Sequence, residues 1–160
     1  MLNFDSQSFL GGGVLLDYNQ INDYLVDIFN KVNVIEEMSL KTSQFNDVSL
    51  KEMHTIDIIG NNTNVTPSDI ARELLITLGT VTTSLNKLEK KGYIERTRSH
   101  LDRRVVNLTL TQKGRLIYRL HTKFHRKMVH QITDGMAEDD LKALLNGLKN
   151  LHQFLDGLVE

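Results

Sequence analysis

The chain has 160 residues, 40% hydrophobic and 24% charged, a composition that suits one soluble domain with enough length to bury a core. It contains no Cys, which excludes disulfides, cysteine nucleophiles and Cys-based zinc sites and fits a reducing cytoplasm. The formal net charge of −1 conceals a segregation: residues 71–130 hold 14 Lys and Arg against 4 Asp and Glu, and the other 100 residues hold 5 against 16. A basic middle third of this kind suits an anionic partner, or else an internal match to acidic helices on either side. No apolar run reaches the roughly 18 residues of a membrane span, so no membrane partner is expected.

Residues 1–15 stand apart from the remainder, which reads as a single domain over 16–160. Gly11-Gly12-Gly13 interrupts any helical pattern there. No basic segment precedes the apolar residues, as a secretory signal requires, and no Lys-Ser/Thr follows the glycines, as a phosphate loop requires. The stretch reads as an arm, a cloning remnant or an extension from an upstream start. From Asp17, Ile21, Leu25, Ile28, Val32 and Ile35 form one apolar stripe, predicting a helix to about Met38. A second helix follows, with Ser49 and Glu52 spaced as a capping box and Met53, Ile56 and Ile59 on its buried face; Gly60-Asn61-Asn62 ends it.

Thr66-Pro67-Ser68-Asp69 reads as N-cap, N1, N2 and N3 of a short third helix with Ile70 and Leu74 facing inward. After a turn at Leu75–Thr77, a fourth helix spans about Leu78 to Lys91 on Val81, Leu85 and Leu88, and Gly92 closes it. Tyr93–Arg98 and Arg104–Leu110 alternate as two strands around the polar tip Ser99-His100-Leu101-Asp102. Thr111 caps a helix to about Thr133 with Leu116, Leu120, Phe124 and Met128 inward; a last helix after Asp134-Gly135 carries Leu141, Leu144, Leu148, Leu151, Leu155 and Leu158.

Two helices joined by a three-residue turn and followed by a two-stranded hairpin make a winged helix-turn-helix, here about 49–110. The expected fold class is therefore mainly α with a small β-hairpin wing, plus an all-helical region from about 17–42 and 111–159. One face of the fourth helix offers Gly79, Thr80, Thr82, Thr83, Asn86 and Lys87, with no bulk and no acid before Glu89. Such a face can enter a DNA major groove and meet base edges with hydroxyls, an amide and thymine-contacting methyls. Ser68 and Thr77, at the starts of the two helices, join this candidate DNA-binding set. Gly79 weakens a helix by about 1 kcal/mol, which a close approach to DNA rationalises. In the hairpin, Arg96, Arg98, Arg103 and Arg104 can reach phosphates or a narrow minor groove, with Asp102 bracing a neighbouring Arg. The alternatives are a solvated helix face and a solvated turn.

Thr66 to Glu95, Asp102-Arg103-Arg104 and the junction Leu110-Thr111-Gln112-Lys113-Gly114 resemble the MarR family of bacterial regulators. More narrowly, Ser49–Asp57, Leu78–Asn86 and Lys113–Ile117 look like the fatty-acid-synthesis repressors within that family. The likeness covers roughly 145 residues and leaves out the first 15. It implies a cytoplasmic homodimer, built on the first and last helices, that places two recognition helices about 34 Å apart on an inverted repeat of double-stranded DNA. Both terminal helices are also more apolar than one thin core needs. The resemblance further implies that acyl chains carried on acyl carrier protein act as corepressor, with no other cofactor. Val32, Ile35, Met53, Ile56, Leu120, His121, Phe124 and Met128 are candidates for an acyl slot, and core packing is the plainer role for each. Arg115, Arg119, Lys123 and Arg126 share one helix face; they dock the acidic carrier, touch DNA phosphates, or face the acidic outer helices.

Other chemistries are weaker. His121 and His125 stand at i and i+4 with His130 beyond, a spacing that can bind Zn²⁺, but no Cys assists and no metal site is assigned. Nothing resembles a paired-carboxylate motif, a G-x-S-x-G elbow, a P-loop or H-E-x-x-H, so an enzyme is not expected. The open alternatives are a regulator responding to a small phenolic or lipophilic ligand or to zinc, and a winged-helix module that binds only protein.

Overall fold

The computed structural model describes residues 18–98 and 106–159, and the expected arm over 1–15 lies outside them. The chain divides into two units at the start of the second helix, Met1–Leu50 and Lys51–Glu160. In the first unit, α1 (Tyr18–Lys41) runs a turn past the expected end at Met38. Two hydroxyls close it: Thr42 Oγ1 donates to the Met38 carbonyl at 2.9 Å, and Ser43 Oγ donates to that of Leu40 at 2.8 Å. The Phe45 amide donates back to Ser43 Oγ, turning the chain toward Val48. Tyr24, Ile28 and Phe29 on α1 are all more than half exposed.

The second unit holds α2 (Leu50–Asn61), α3 (Pro67–Glu73), α4 (Leu78–Lys90), β1 (Ile94–Arg98), β2 (Val106–Leu110), α5 (Gln112–Thr133) and α6 (Glu138–Val159). β1 and β2 pair antiparallel, with Ile94 opposite Leu110 and Arg98 opposite Val106. A further bridge, not legible beforehand, joins β2 to the loop before α3, where the Leu108 amide donates to the Val65 carbonyl at 2.9 Å. The core is made by Met53 and Ile56 of α2, Ile70 of α3, Leu85 and Leu88 of α4 and Tyr93 before β1, each at most 1% exposed. Burying side chains of this size stabilises by about 1.5–3 kcal/mol each. Mainly helical with a two-stranded wing, this is the winged helix-turn-helix that the element pattern predicts.

The inward face of α5 differs from the expected one. Leu116 and Leu120 are 39% and 46% exposed, and Phe124 and Met128 are only half-buried, whereas Gly114 and Ile117 are buried. Backbone proximity sets this rotation. A Cβ on Gly114 would lie 2.0 Å from the Tyr93 carbonyl oxygen, so only glycine lets α5 start this close to the wing. One turn further, the Tyr118 ring covers Gly60, where a Cβ would lie 2.6 Å from it, and Tyr118 Oη donates to Asn61 Oδ1 at 2.7 Å. The stripe of Leu116 and Leu120 is thereby left outward in the single chain. No residue of α6 is buried among those described, and Leu145, Leu148 and Phe154 are more than half exposed. No described helix is long and apolar enough to cross a membrane.

Candidate nucleic-acid interface

Local chemistry sets the helix-turn-helix. At the start of α3, Thr66 Oγ1 accepts the Asp69 amide while Asp69 Oδ2 accepts both the Thr66 amide and the Thr66 hydroxyl, a reciprocal capping box behind Pro67. The two hydrogen bonds from Thr66, with a smaller contribution from Arg72, hold the Asp69 carboxyl below its ordinary pKa. Ser68, at N2, is exposed. In the turn, Leu75 adopts a left-handed φ of 54°, an unusual conformation for a residue with a bulky side chain. Thr77 then caps α4, accepting the Thr80 amide at 3.2 Å and sharing a hydrogen bond with the Thr80 hydroxyl. Lys91 ends the helix and Gly92 follows at a φ of 77°.

Val81, Leu85 and Leu88 anchor α4, and Gly79, Thr80, Thr82, Thr83, Asn86 and Lys87 all lie on exposed positions. The expectation that the hydroxyls of this face read bases is modified. Thr82 Oγ1 donates to the Leu78 carbonyl at 2.8 Å and Thr83 Oγ1 to that of Gly79 at 3.0 Å. Their protons are thus engaged by the helix, leaving the oxygen lone pairs and a methyl on each for a ligand. Among the described residues nothing requires Gly79 to lack a side chain: a Cβ there would find only Thr77 Oγ1, at 3.9 Å.

The wing is tied directly to α4. Arg96 of β1 donates through Nη2 to Asn86 Oδ1 at 2.7 Å, and its Nε lies 3.4 Å from Glu89 Oε2. Asn86 and Arg96, both expected as DNA contacts, are therefore partners of one another, and Glu89, noted only as the first acid on that face, is the second partner of Arg96. Its position one turn beyond Asn86 on the same face was the available signal. Arg98 pairs with Val106 through its backbone; its side chain, with Asp102, Arg103 and Arg104, lies outside the described residues.

Behind this surface, Lys91 Nζ bridges both oxygens of Glu52 at 2.9 and 2.8 Å, joining the end of α4 to the start of α2. Thr111 Oγ1 donates to the Gly92 carbonyl at 2.7 Å, and Lys113 Nζ sits 4.0 Å above the Tyr93 ring. Arg115, expected in a carrier dock, donates instead to the Leu110 carbonyl at the end of β2. Arg119, Lys123 and Arg126 remain exposed along α5.

The expected acyl-slot residues fall in both units. Met53 and Ile56 are wholly buried core. Val32 and Ile35 belong to α1 of the first unit, half-buried and exposed respectively. Leu120 is exposed, and His121 joins a polar seam between α5 and α2, with Nδ1 2.9 Å from Asp57 Oδ2 and Nε2 3.3 Å from His125 Nε2. A cleft of about 610 Å³ opens further along α5, lined by Thr122, His125, Arg126, Val129, His130 and Asp134 among others.

With this geometry in place, known proteins give a consistent comparison. A model of the MarR family matches residues 48–106. The structure of Streptococcus pneumoniae FabT in complex with DNA superposes with a TM-score of 0.85 at 61% identity, covering 89% of this chain and 99% of that one. The HTH-type transcriptional regulator YfiV of Bacillus subtilis (strain 168), itself uncharacterized, is 31% identical over 111 residues, 69% of each chain. The MepR–DNA complex of Staphylococcus aureus shares the fold, with a TM-score of 0.67 at 23% identity over 84% of this chain and 97% of that one.

Proposed function

This chain belongs to the MarR family of winged helix-turn-helix transcriptional regulators, and from that premise we propose that it is a homodimeric repressor of fatty-acid-synthesis genes that binds an inverted repeat in duplex DNA and takes a long-chain acyl group on acyl carrier protein as corepressor. The observation that carries the DNA reading is the face of α4. It is exposed, free of bulk, and opened further by a glycine that no described residue requires. The 61% identity to FabT, solved in complex with DNA, supports DNA binding. The gene class rests on the likeness of Ser49–Asp57, Leu78–Asn86 and Lys113–Ile117 to fatty-acid-synthesis repressors.

The homodimer reading is supported by the apolar side chains left exposed on α1 and α6, an arrangement that a second copy would cover. The acyl chain would use Leu120, Phe124 and Met128, which stand outward from the core of the second unit, in preference to Met53 and Ile56. The acidic carrier would meet Arg119, Lys123 and Arg126, because Arg115 is engaged by the wing. Corepression requires that the acylated carrier bind the DNA-competent dimer more tightly than the free one.

Fluorescence anisotropy of a labelled duplex from upstream of a fatty-acid-synthesis operon tests this reading. The expected result is tighter binding with long-chain acyl carrier protein and no change with the unacylated carrier. Specific binding indifferent to both would discard the corepressor and keep the repressor.

A further inference from the structure

We propose that Arg96 is a positioning residue, held by Asn86 and Glu89, that fixes the wing to the recognition helix as one reading unit. This rests on the DNA-binding reading of the same surface. A guanidinium presents its donors in a rigid plane, so two acceptors of fixed spacing set its orientation as well as its location. Asn86 and Glu89 supply those acceptors from i and i+3 of α4, at 2.7 Å to Nη2 and 3.4 Å to Nε. Arg96 itself lies in the middle of β1, opposite Leu108 of β2. Leu85, Leu88 and Ile94 pack the inner side of the junction between α4 and the hairpin, and Arg96 adds a polar tie on its exposed side.

The clamp also accounts for an acid that the surface otherwise leaves unexplained. Glu89 is the single carboxylate on the exposed face of α4, and a carboxylate close to phosphates is repelled. Its pairing with Arg96 gives it a role and at the same time neutralises the guanidinium locally. Arg96 therefore contributes orientation and little net attraction to the DNA backbone. Asn86 in turn keeps its amide nitrogen and one lone pair of Oδ1 for a base edge, since Arg96 takes the other. The side chains of Arg96 and Glu89 are 30% and 43% exposed, so the pair adds little to folding stability and its loss leaves the fold intact.

The test uses the duplex that the unaltered protein selects from a randomised pool, and a scrambled duplex of the same composition, each titrated over a range of salt. For Arg96→Ala we expect about a tenfold loss on the selected duplex and an unchanged slope of log K against log salt, with an unchanged melting temperature. A residue touching phosphate would instead lower the slope by about 0.9, and that result overturns the proposal. Arg96→Lys keeps the charge without the fork; it should fail to restore selected-duplex binding, and rescue by lysine would likewise overturn it. Glu89→Gln separates the two roles of the acid. Weaker binding to the selected duplex, with equal or tighter binding to the scrambled one, supports the clamp. Equal tightening on both would make Glu89 a mere repelling charge. An unaltered protein that selects no duplex would overturn the regulator reading itself, whereas selection combined with a lowered Arg96→Ala slope overturns the clamp alone.

Discussion

Gly79→Ala tests the recognition surface in two opposite directions at once. Residue 79 stands at N2 of α4, behind the Thr77 cap, on an exposed position with no positive φ. The added methyl would meet only Thr77 Oγ1 at 3.9 Å, an ordinary van der Waals distance. Inside the protein the substitution therefore costs nothing sterically and removes the excess freedom of glycine in the unfolded chain. The expected gain is about 0.4–1 kcal/mol, which in a domain of this size corresponds to roughly 1–4 °C in melting temperature. On DNA the same methyl occupies space that the backbone needs for close approach. Losing the contacts of one good base-edge interaction would weaken selected-duplex binding by about 1–3 kcal/mol. Differential scanning fluorimetry at one protein concentration, paired with anisotropy on the selected duplex, reads both effects. A lower melting temperature would show that glycine is needed by the fold, and unchanged DNA affinity would show that α4 does not approach through residue 79. Either result refutes the reasoning.

Three further outcomes follow from the geometry. Gly114→Ala, whose Cβ would sit 2.0 Å from the Tyr93 carbonyl oxygen, should separate α5 from the wing and lower stability by about 1–3 kcal/mol or more in urea denaturation; a neutral result contradicts the close packing. The Asp69 carboxyl should titrate by NMR below the 3.8 of a free aspartate, because Thr66 donates two hydrogen bonds to the charged form. A depressed folded pKa means that this stabilisation is fully present above the unfolded value and is lost as pH falls through the folded one, so acid below pH 3.8 should loosen the start of α3. Leu148→Asp, at a position 54% exposed on α6, should leave the single-chain fold intact, shift sedimentation toward monomer and abolish selected-duplex binding; an unchanged dimer would remove α6 from the interface.

Features decided within a few residues were legible in the sequence. The Thr66 cap with Asp69 at N3, the Thr111 cap and the Gly92 terminus depend on side chains three positions away or on one backbone angle, and each formed as its local chemistry dictates. The same holds for the two strands of the hairpin, marked by alternation. What escaped was the meaning of an apolar stripe. Leu116 and Leu120 recur at helical spacing whether they face their own core or remain outside it, and periodicity cannot distinguish the two. The deciding residues were Gly114 and Gly60, small because another backbone or ring lies against them, a demand that no periodicity displays. Among the candidate contacts, composition located the α4 face, but it could not reveal that Thr82 and Thr83 turn their protons back to the helix or that Asn86 already holds Arg96. Hydrogen bonds between elements ten or more residues apart are properties of the folded geometry.

The most direct test of the central claim is a hydroxyl-radical footprint of the protein on the duplex it selects. Two recognition helices presented by a two-fold dimer should protect two patches centred about one helical turn, or 34 Å, apart, with weaker protection outside them where the wings lie. A single protected patch, or uniform protection independent of sequence, would contradict the account.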